Sequence, residues 1–299
     1  MRRATTMNRR SFLLRAGAGT LGALTGFDAR SEPLGSGFLV GCYTRAFDQF
    51  DYRTAMDAIA EAGYAYVGIM TTKTKEWIMI RNTTPPEEVQ TIQHEAEKRK
   101  LKIISVYGDF TMTESVEQGV RDLKQLIDHT VTCKCPNLLL GGSSDPKLYA
   151  PYFQAVKECC AYAAEKSVGL SIKPHGGEIS TGPACRKAIG LVSKPNFWLW
   201  YDPGNIFYYS DGALDPVKDA ASVDGLVAGM SIKDFRPPKE VLVDIGAGKV
   251  DFPKVMQRLR KGGFNKGPLV VECLERGDLP KLKASATRAR EYINSVLAA

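Results

Sequence analysis

FWLWYDPGN (residues 197–205) is a run of five apolar and aromatic residues that ends abruptly in Asp202, Pro203, Gly204 and Asn205. Three further runs in the same half of the chain end in the same way: GLSIKPHGG (169–177), VAGMSIKD (227–234) and GPLVVECLE (267–275). In a β/α barrel the strand ends share one mouth, so Lys173, His175, Asp202, Asn205, Lys233, Asp234 and Glu272 converge there although they are far apart in sequence. That mouth is where such barrels do chemistry.

Working outward, four earlier runs complete a set of eight: FLVGCYT (38–44), YAYVGIM (64–70), LKIISVY (101–107) and PNLLLGG (136–142). Between them lie stretches of helical period, among them YRTAMDAIAEAG (52–63), PPEEVQTIQHEAEKRK (85–100) and VEQGVRDLKQLIDHTVTC (116–133). Segments 151–166, 253–262 and 283–297 supply others. Gly63 closes the first helix, and prolines followed by acids open the second, as helix ends require. Strands alternating with helices over about 260 residues indicate an α/β fold, a (β/α)8 TIM barrel, rather than an open sheet. Residues 71–84, 203–216 and 235–249 read as long loops on the mouth side, where a substrate pocket is built.

The chain has 299 residues, and the first 30 read differently from the rest. Asn8-Arg9-Arg10-Ser11-Phe12-Leu13-Leu14 follows a basic start and precedes a short stretch of small residues, too short to span a membrane. This resembles a twin-arginine export signal. The resulting division is a signal segment at 1–30 and a barrel at 31–299, exported to the periplasm or another extracytoplasmic space. A poor cleavage motif at Phe27-Asp28-Ala29 leaves an uncleaved, membrane-tethered form open. No other integral membrane domain is expected. Most of the net charge of +7 belongs to this segment, and no basic stripe interleaved with aromatics exists, so nucleic acid is excluded as a partner. The seven cysteines are an odd number without disulfide or zinc spacing and read as small buried residues.

YDPGN (201–205), SIKDF (231–235), IGAGKVDFPKVMQRLRKGGF (245–264) and PLVVE (268–272) together resemble the xylose isomerase-like superfamily, its sugar phosphate isomerase/epimerase branch, over residues 38–297. The resemblance implies one divalent metal ion (Mn, Mg, Co or Zn) held by Glu, Asp, His and Glu from strands five to eight. Asp202 and Glu272 match two of these positions. Lys173 stands where the family has its strand-five Glu, and Ser231 where it has its strand-seven His. Neither replacement is a normal ligand for a divalent cation.

Three readings follow. His175, the one histidine of three outside a predicted helix, joins Asp202 and Glu272 as a metal site open to water. Alternatively Lys173 itself takes the place of the cation between the two carboxylates. In the third reading the polar mouth only binds a sugar or a partner.

The family chemistry is proton abstraction beside a carbonyl to give an enediolate, with Glu272 and Lys173 as the expected acid/base groups. Asn205, Lys233, Asp234 and Tyr107 are the expected contacts to a small-molecule carbohydrate, with Lys233 and Asp234 equally readable as a strand-end salt bridge. The reading is a sugar isomerase or epimerase; a β-eliminating lyase on keto-sugars or keto-glycosides and a non-catalytic carbohydrate-binding barrel stand as alternatives. Aromatics at the rim, Tyr43, Trp77, Tyr107, Phe207, Tyr208, Tyr209 and Phe235, suit stacking against a sugar ring.

Overall fold

The structure, a computed structural model, describes residues 37–73, 78–110, 112–113, 115–143 and 145–299. The expected export signal at 1–30 and Trp77 lie outside the described residues. All eight expected strands form: β1 (Phe38–Tyr43), β2 (Tyr66–Ile69), β3 (Lys102–Asp109) and β4 (Asn137–Leu140), then β5 (Gly169–Ile172), β6 (Phe197–Tyr201), β7 (Val227–Ile232) and β8 (Gly267–Val271). Each pairs in parallel with its neighbour, and β8 pairs with β1, which closes the sheet into a barrel. A two-residue strand, Ile80–Arg81, adds beside Gly108 and Asp109 at the end of β3. It falls inside the expected loop 71–84 and is too short to show a period of its own.

The outer ring is made by α1 (Tyr52–Glu61), α2 (Pro86–Lys98), α3 (Val116–Thr132), α4 (Pro146–Glu165) and α5 (Gly182–Val192). After β6 come α6 (Pro203–Tyr209) and the four-residue α7 (Pro216–Asp219), and α8 (Phe252–Lys261) and α9 (Leu279–Ala298) complete the ring. Side-chain caps set most of these starts: Asp51, Ser115, Asp145, Thr181, Asp251 and Asp278 each accept a hydrogen bond from a first-turn backbone N–H. The cap at Asp145 explains why α4 starts five residues before Pro151, which the helix contains. Segment 203–216, expected as loop, is largely helical because Asp202 caps α6 and Pro203 takes its first position.

Strand residues alternate between two burial environments. One set packs under the helices, for example Val67, Leu138, Leu170, Leu199 and Met230. The other fills the barrel and includes Tyr43, Tyr107, Leu139, Trp200 and Val270. Inside the barrel the Tyr43 hydroxyl donates to Ser105 Oγ at 2.8 Å, and Ser171 Oγ donates to Asn137 Oδ1 at 3.0 Å, so buried polar groups find partners. Gly229 is needed here, because a side chain at that position would collide with the Trp200 ring.

All seven cysteines are buried and unbridged. Among the described residues no helix is long and apolar enough to cross a membrane.

Candidate active site

The two-residue period of a strand carries the inner face of the barrel upward into the mouth. On β5 the sequence from Ser171 leads to Lys173, on β6 Trp200 leads to Asp202, on β7 Ser231 leads to Lys233, and on β8 Val270 leads to Glu272. These four strand-end groups meet at the mouth. Lys173 Nζ lies 2.9 Å from both Glu272 Oε1 and Oε2 and 3.3 Å from Asp202 Oδ2. Lys233 Nζ lies 3.1 Å from Asp202 Oδ2, 2.5 Å from Glu272 Oε1 and 3.0 Å from Asn205 Oδ1.

Every oxygen of the two carboxylates is engaged. The second oxygen of Asp202 accepts from the Asn205 backbone N–H at 2.9 Å as the cap of α6. Glu272 Oε2 accepts from Ser231 Oγ at 2.6 Å, and that hydroxyl in turn accepts from Trp200 Nε1 at 3.2 Å. Arg45, in the single 3-10 turn after β1, approaches Glu272 Oε1 with Nε at 3.7 Å. The cluster therefore holds three cations and two carboxylates, all buried except Arg45.

Above this floor opens a cavity of about 460 Å³. Arg45, Asp109, His175, Asn205, Lys233 and Glu272 contribute its polar wall, with Tyr107, Tyr208 and Tyr209 beside them. Gly141 permits this, since a side chain there would strike the Tyr107 hydroxyl. His175 sits between two tyrosines, its ring centroid 6.2 Å from that of Tyr107 and 6.0 Å from that of Tyr209. Lys173 and Asp202 are fully enclosed beneath the cavity. Of the expected rim aromatics, Tyr43, Phe207 and Phe235 are buried packing groups.

Two of the expected substrate contacts have partners within the protein. Asp234 turns away from Lys233: Oδ1 accepts from the N–H groups of Phe235 and Val250, and Oδ2 from those of Gly246 and Gly248, at 2.8–3.0 Å. It anchors the segment 235–250 and makes no strand-end salt bridge with Lys233. Asn205 lines the cavity, but its amide is committed, Nδ2 donating to Pro174 O at 2.6 Å and Oδ1 accepting from Lys233. It positions that ammonium group.

Charge coupling follows the geometry. Burial alone would raise the Glu272 pKa, but Lys173, Lys233 and Arg45 outweigh it and hold the group well below the carboxylate range. Burial pulls Lys233 down, and Asp202 and Glu272 more than reverse this. Lys173 is drawn below the ordinary lysine value chiefly by burial, with Glu272 opposing. Desolvation between the cavity walls, reinforced by Lys173 and Lys233, pushes the His175 pKa down to about 3, so its imidazole is neutral at physiological pH. Burial raises Asp109, with Arg81 opposing.

This donor set does not fit a divalent metal ion. Among the described residues no three His, Cys, Asp or Glu side chains gather where they could hold one, so the expected ligand set of His175, Asp202 and Glu272 is not assembled. Two ammonium groups occupy the space between Asp202 and Glu272 and use the lone pairs a metal would need. A doubly charged ion would also have to lie beside two ammonium groups that already balance these two carboxylates.

Lys173, Asp202, Lys233 and Glu272, expected to converge at the mouth, meet there, and Arg45 and Asp109, which the strand-end motifs do not include, line the same cavity. Asp109 stands two residues beyond Tyr107 on the inward register of its strand, whereas Arg45 lies in the 3-10 turn past the end of β1, where the strand period no longer reports direction.

The sequence matches the family model described as Xylose isomerase-like TIM barrel over residues 56–296. No curated protein matches it. Among solved structures, a D-psicose 3-epimerase determined in the presence of D-fructose superposes with a TM-score of 0.67 at 11% identity, covering 88% of this chain and 100% of that one. A D-allulose 3-epimerase from Methylomonas sp. in complex with D-allulose gives 0.67 at 17% identity, covering 87% and 97%. The probable 3-DHS dehydratase of petrobactin synthesis from Bacillus anthracis gives 0.62 at 13%, covering 83% and 97%. At these identities the likeness is one of fold. With the family model spanning most of the barrel, the chain belongs to the xylose isomerase-like TIM barrel family.

Proposed function

We propose that this barrel is a sugar isomerase or epimerase that works by proton abstraction beside a carbonyl, with ammonium groups in the role a metal ion usually has. The observation that carries this reading is the Lys173–Asp202–Lys233–Glu272 cluster directly under a cavity with tyrosine walls. Epimerases acting on ketohexoses share the fold, which supports a carbohydrate as substrate.

In this reaction a base takes the proton from the carbon next to the carbonyl, and the electron pair moves onto the carbonyl oxygen. Preorganised cations stabilise that oxyanion without reorganising. Lys233 and Arg45, at the cavity wall, supply the charge, and Lys173 beneath them keeps Glu272 anionic and fixed. Glu272 is then a poor base, since cations and a hydroxyl surround both its oxygens. We assign the base to Asp109, the cavity carboxylate that holds no ammonium group and whose pKa burial raises. Protonation of the same carbon from its opposite face gives the epimer, and protonation of the neighbouring carbon gives the isomer.

Incubation of a panel of ketoses, aldoses and keto-glycosides in D₂O should give deuterium uptake at one carbon, suppressed at least about a hundredfold in Asp109→Asn, in line with loss of a general base. An enol product with released aglycone would move the assignment to a lyase. Tight sugar binding with no exchange in the wild type would reduce the protein to a binding module.

We also read Arg9-Arg10 as directing export, on the strength of the Asn8–Leu14 pattern. Arg9→Lys combined with Arg10→Lys should leave the protein in the cytoplasm; unchanged export of that double variant would refute the signal.

A further inference from the structure

We propose that the end of the barrel opposite the mouth docks on an anionic lipid surface. The inference rests on neither the sugar reading nor the export signal, and it concerns a part of the molecule that the candidate site does not use.

The first ground is charge, taken turn by turn. Helices run back from the mouth, so the turns from helix to strand, 62–65, 99–101, 133–136, 166–168, 193–196, 224–226 and 262–266, all lie at the far end, and each of their residues is described. Lys100, Lys134, Lys166, Lys194 and Lys266 stand in these turns, with Lys102 opening β3, and all six are exposed. Arg99 is there too, held by Asp57 and Glu95. The acid within the turns is Asp224, which faces Arg258 at 2.8 Å. At the neighbouring helix ends Glu97 meets Lys134 at 2.6 Å, Glu61 meets Lys283 at 2.7 Å, and Glu165 precedes Lys166. Residues 1–36 join the barrel at this same end, because Gly37 leads into β1 here, and their sequence holds six arginines against Asp28 and Glu32. The entering segment therefore does not offset the lysines.

The second ground is apolar. Among the described residues the large hydrophobic side chains that stand well into solvent are Val131, Leu191 and Leu214. Val131, 40% exposed, and Leu191, 47% exposed, belong to the last turns of α3 and α5, each three residues before a lysine of the far end, Lys134 and Lys194. Helix dipoles draw cations to helix C-termini and account for part of the lysine content. They give no reason for exposed apolar groups beside those lysines. A bilayer interface answers both features, since headgroup phosphates meet the ammonium groups and the layer beneath them takes Val131 and Leu191. A nucleic acid would supply the phosphates alone. Docked in this way, the barrel keeps its mouth toward water, where a small substrate can enter and leave.

Co-sedimentation of the full chain with phosphatidylcholine vesicles, with and without phosphatidylglycerol, tests the docking. Binding should favour the anionic vesicles at least about tenfold at low salt and weaken as salt is added. Lys134→Gln with Lys194→Gln and Lys266→Gln should lower affinity for anionic vesicles by about fivefold for each lysine, the weight of one such charge at a membrane surface. Lys147→Gln with Lys254→Gln and Lys281→Gln removes the same charge from the mouth side and keeps the arginines of residues 1–36. That triple should change affinity by less than about twofold, because its sites lie beyond a screening length from the docked face. Val131→Ser with Leu191→Ser should weaken binding severalfold, and this loss should persist at high salt. Thermal unfolding verifies that each variant is folded. The proposal is overturned by equal binding to neutral and anionic vesicles, by equal losses from the two lysine triples, or by affinity for duplex DNA that matches the vesicles and ignores the Val131 and Leu191 changes.

Discussion

Lys173→Met is expected to lower the unfolding free energy by about 3–5 kcal/mol, the range seen when one member of a buried ion cluster is removed. Lys173 has no exposed surface, and its ammonium contacts both oxygens of Glu272 and one of Asp202. Methionine fills a similar volume but leaves those buried carboxylates with Lys233 and, at the edge, Arg45. The cost is therefore electrostatic, with little cavity contribution. Urea unfolding should show a lower midpoint with an unchanged slope. Adding Glu272→Gln to Lys173→Met should recover part of the loss, because the two changes share one contact and are not additive. A loss below about 1 kcal/mol, the worth of an exposed ion pair, would mean that water reaches the cluster and that the closed floor described above is wrong.

The second large effect concerns metal. Titration of the wild type with Mn²⁺, Mg²⁺, Co²⁺ or Zn²⁺ should leave its melting temperature unmoved, and a chelator should leave deuterium exchange intact. Combining Lys173→Glu with Ser231→His should reverse this. One ammonium group leaves the floor, a third carboxylate joins Asp202 and Glu272, and an imidazole replaces the hydroxyl now lying 2.6 Å from Glu272. The double variant should then take up about one divalent ion per chain and gain about 2.7 kcal/mol at a hundredfold excess over its dissociation constant. Elemental analysis finding one tightly held divalent ion per wild-type chain would defeat the argument from occupied lone pairs.

The barrel was legible in the sequence because its signals are local. Eight apolar runs, proline and acid starts and glycine stops each report on a few neighbouring residues, and all eight strands form where those runs lie. The site was legible in part, for the reason that strand ends converge whatever their loops do. Reach and direction were not. Nothing in the string SIKD tells that Lys233 turns inward to Asp202 while Asp234 turns to the backbone of residues 246–250 fourteen or so positions later, because that depends on how a loop folds back. Its strand-end position outside any predicted helix groups His175 with Asp202 and Glu272, but position along the chain does not give the direction of the ring. The three-dimensional arrangement puts it on the cavity wall between Tyr107 and Tyr209, with the ammonium groups holding the carboxylates it was expected to share. Asp109 continues the inward register of Tyr107 on the third strand, whereas Arg45 enters from a 3-10 turn after β1, whose direction no strand period reports.

The lysine-filled floor has a consequence for where such a protein can operate. A site of open carboxylates and imidazole takes whichever divalent ion binds it most strongly, and copper or zinc outcompetes the intended one wherever supply is not controlled. Here the positive charge is part of the polypeptide, present in equal number to the chains synthesised and delivered in place as the strands close. Such a centre has no wrong occupant to exclude, no loading step to complete and nothing to surrender to a neighbour that scavenges trace metals.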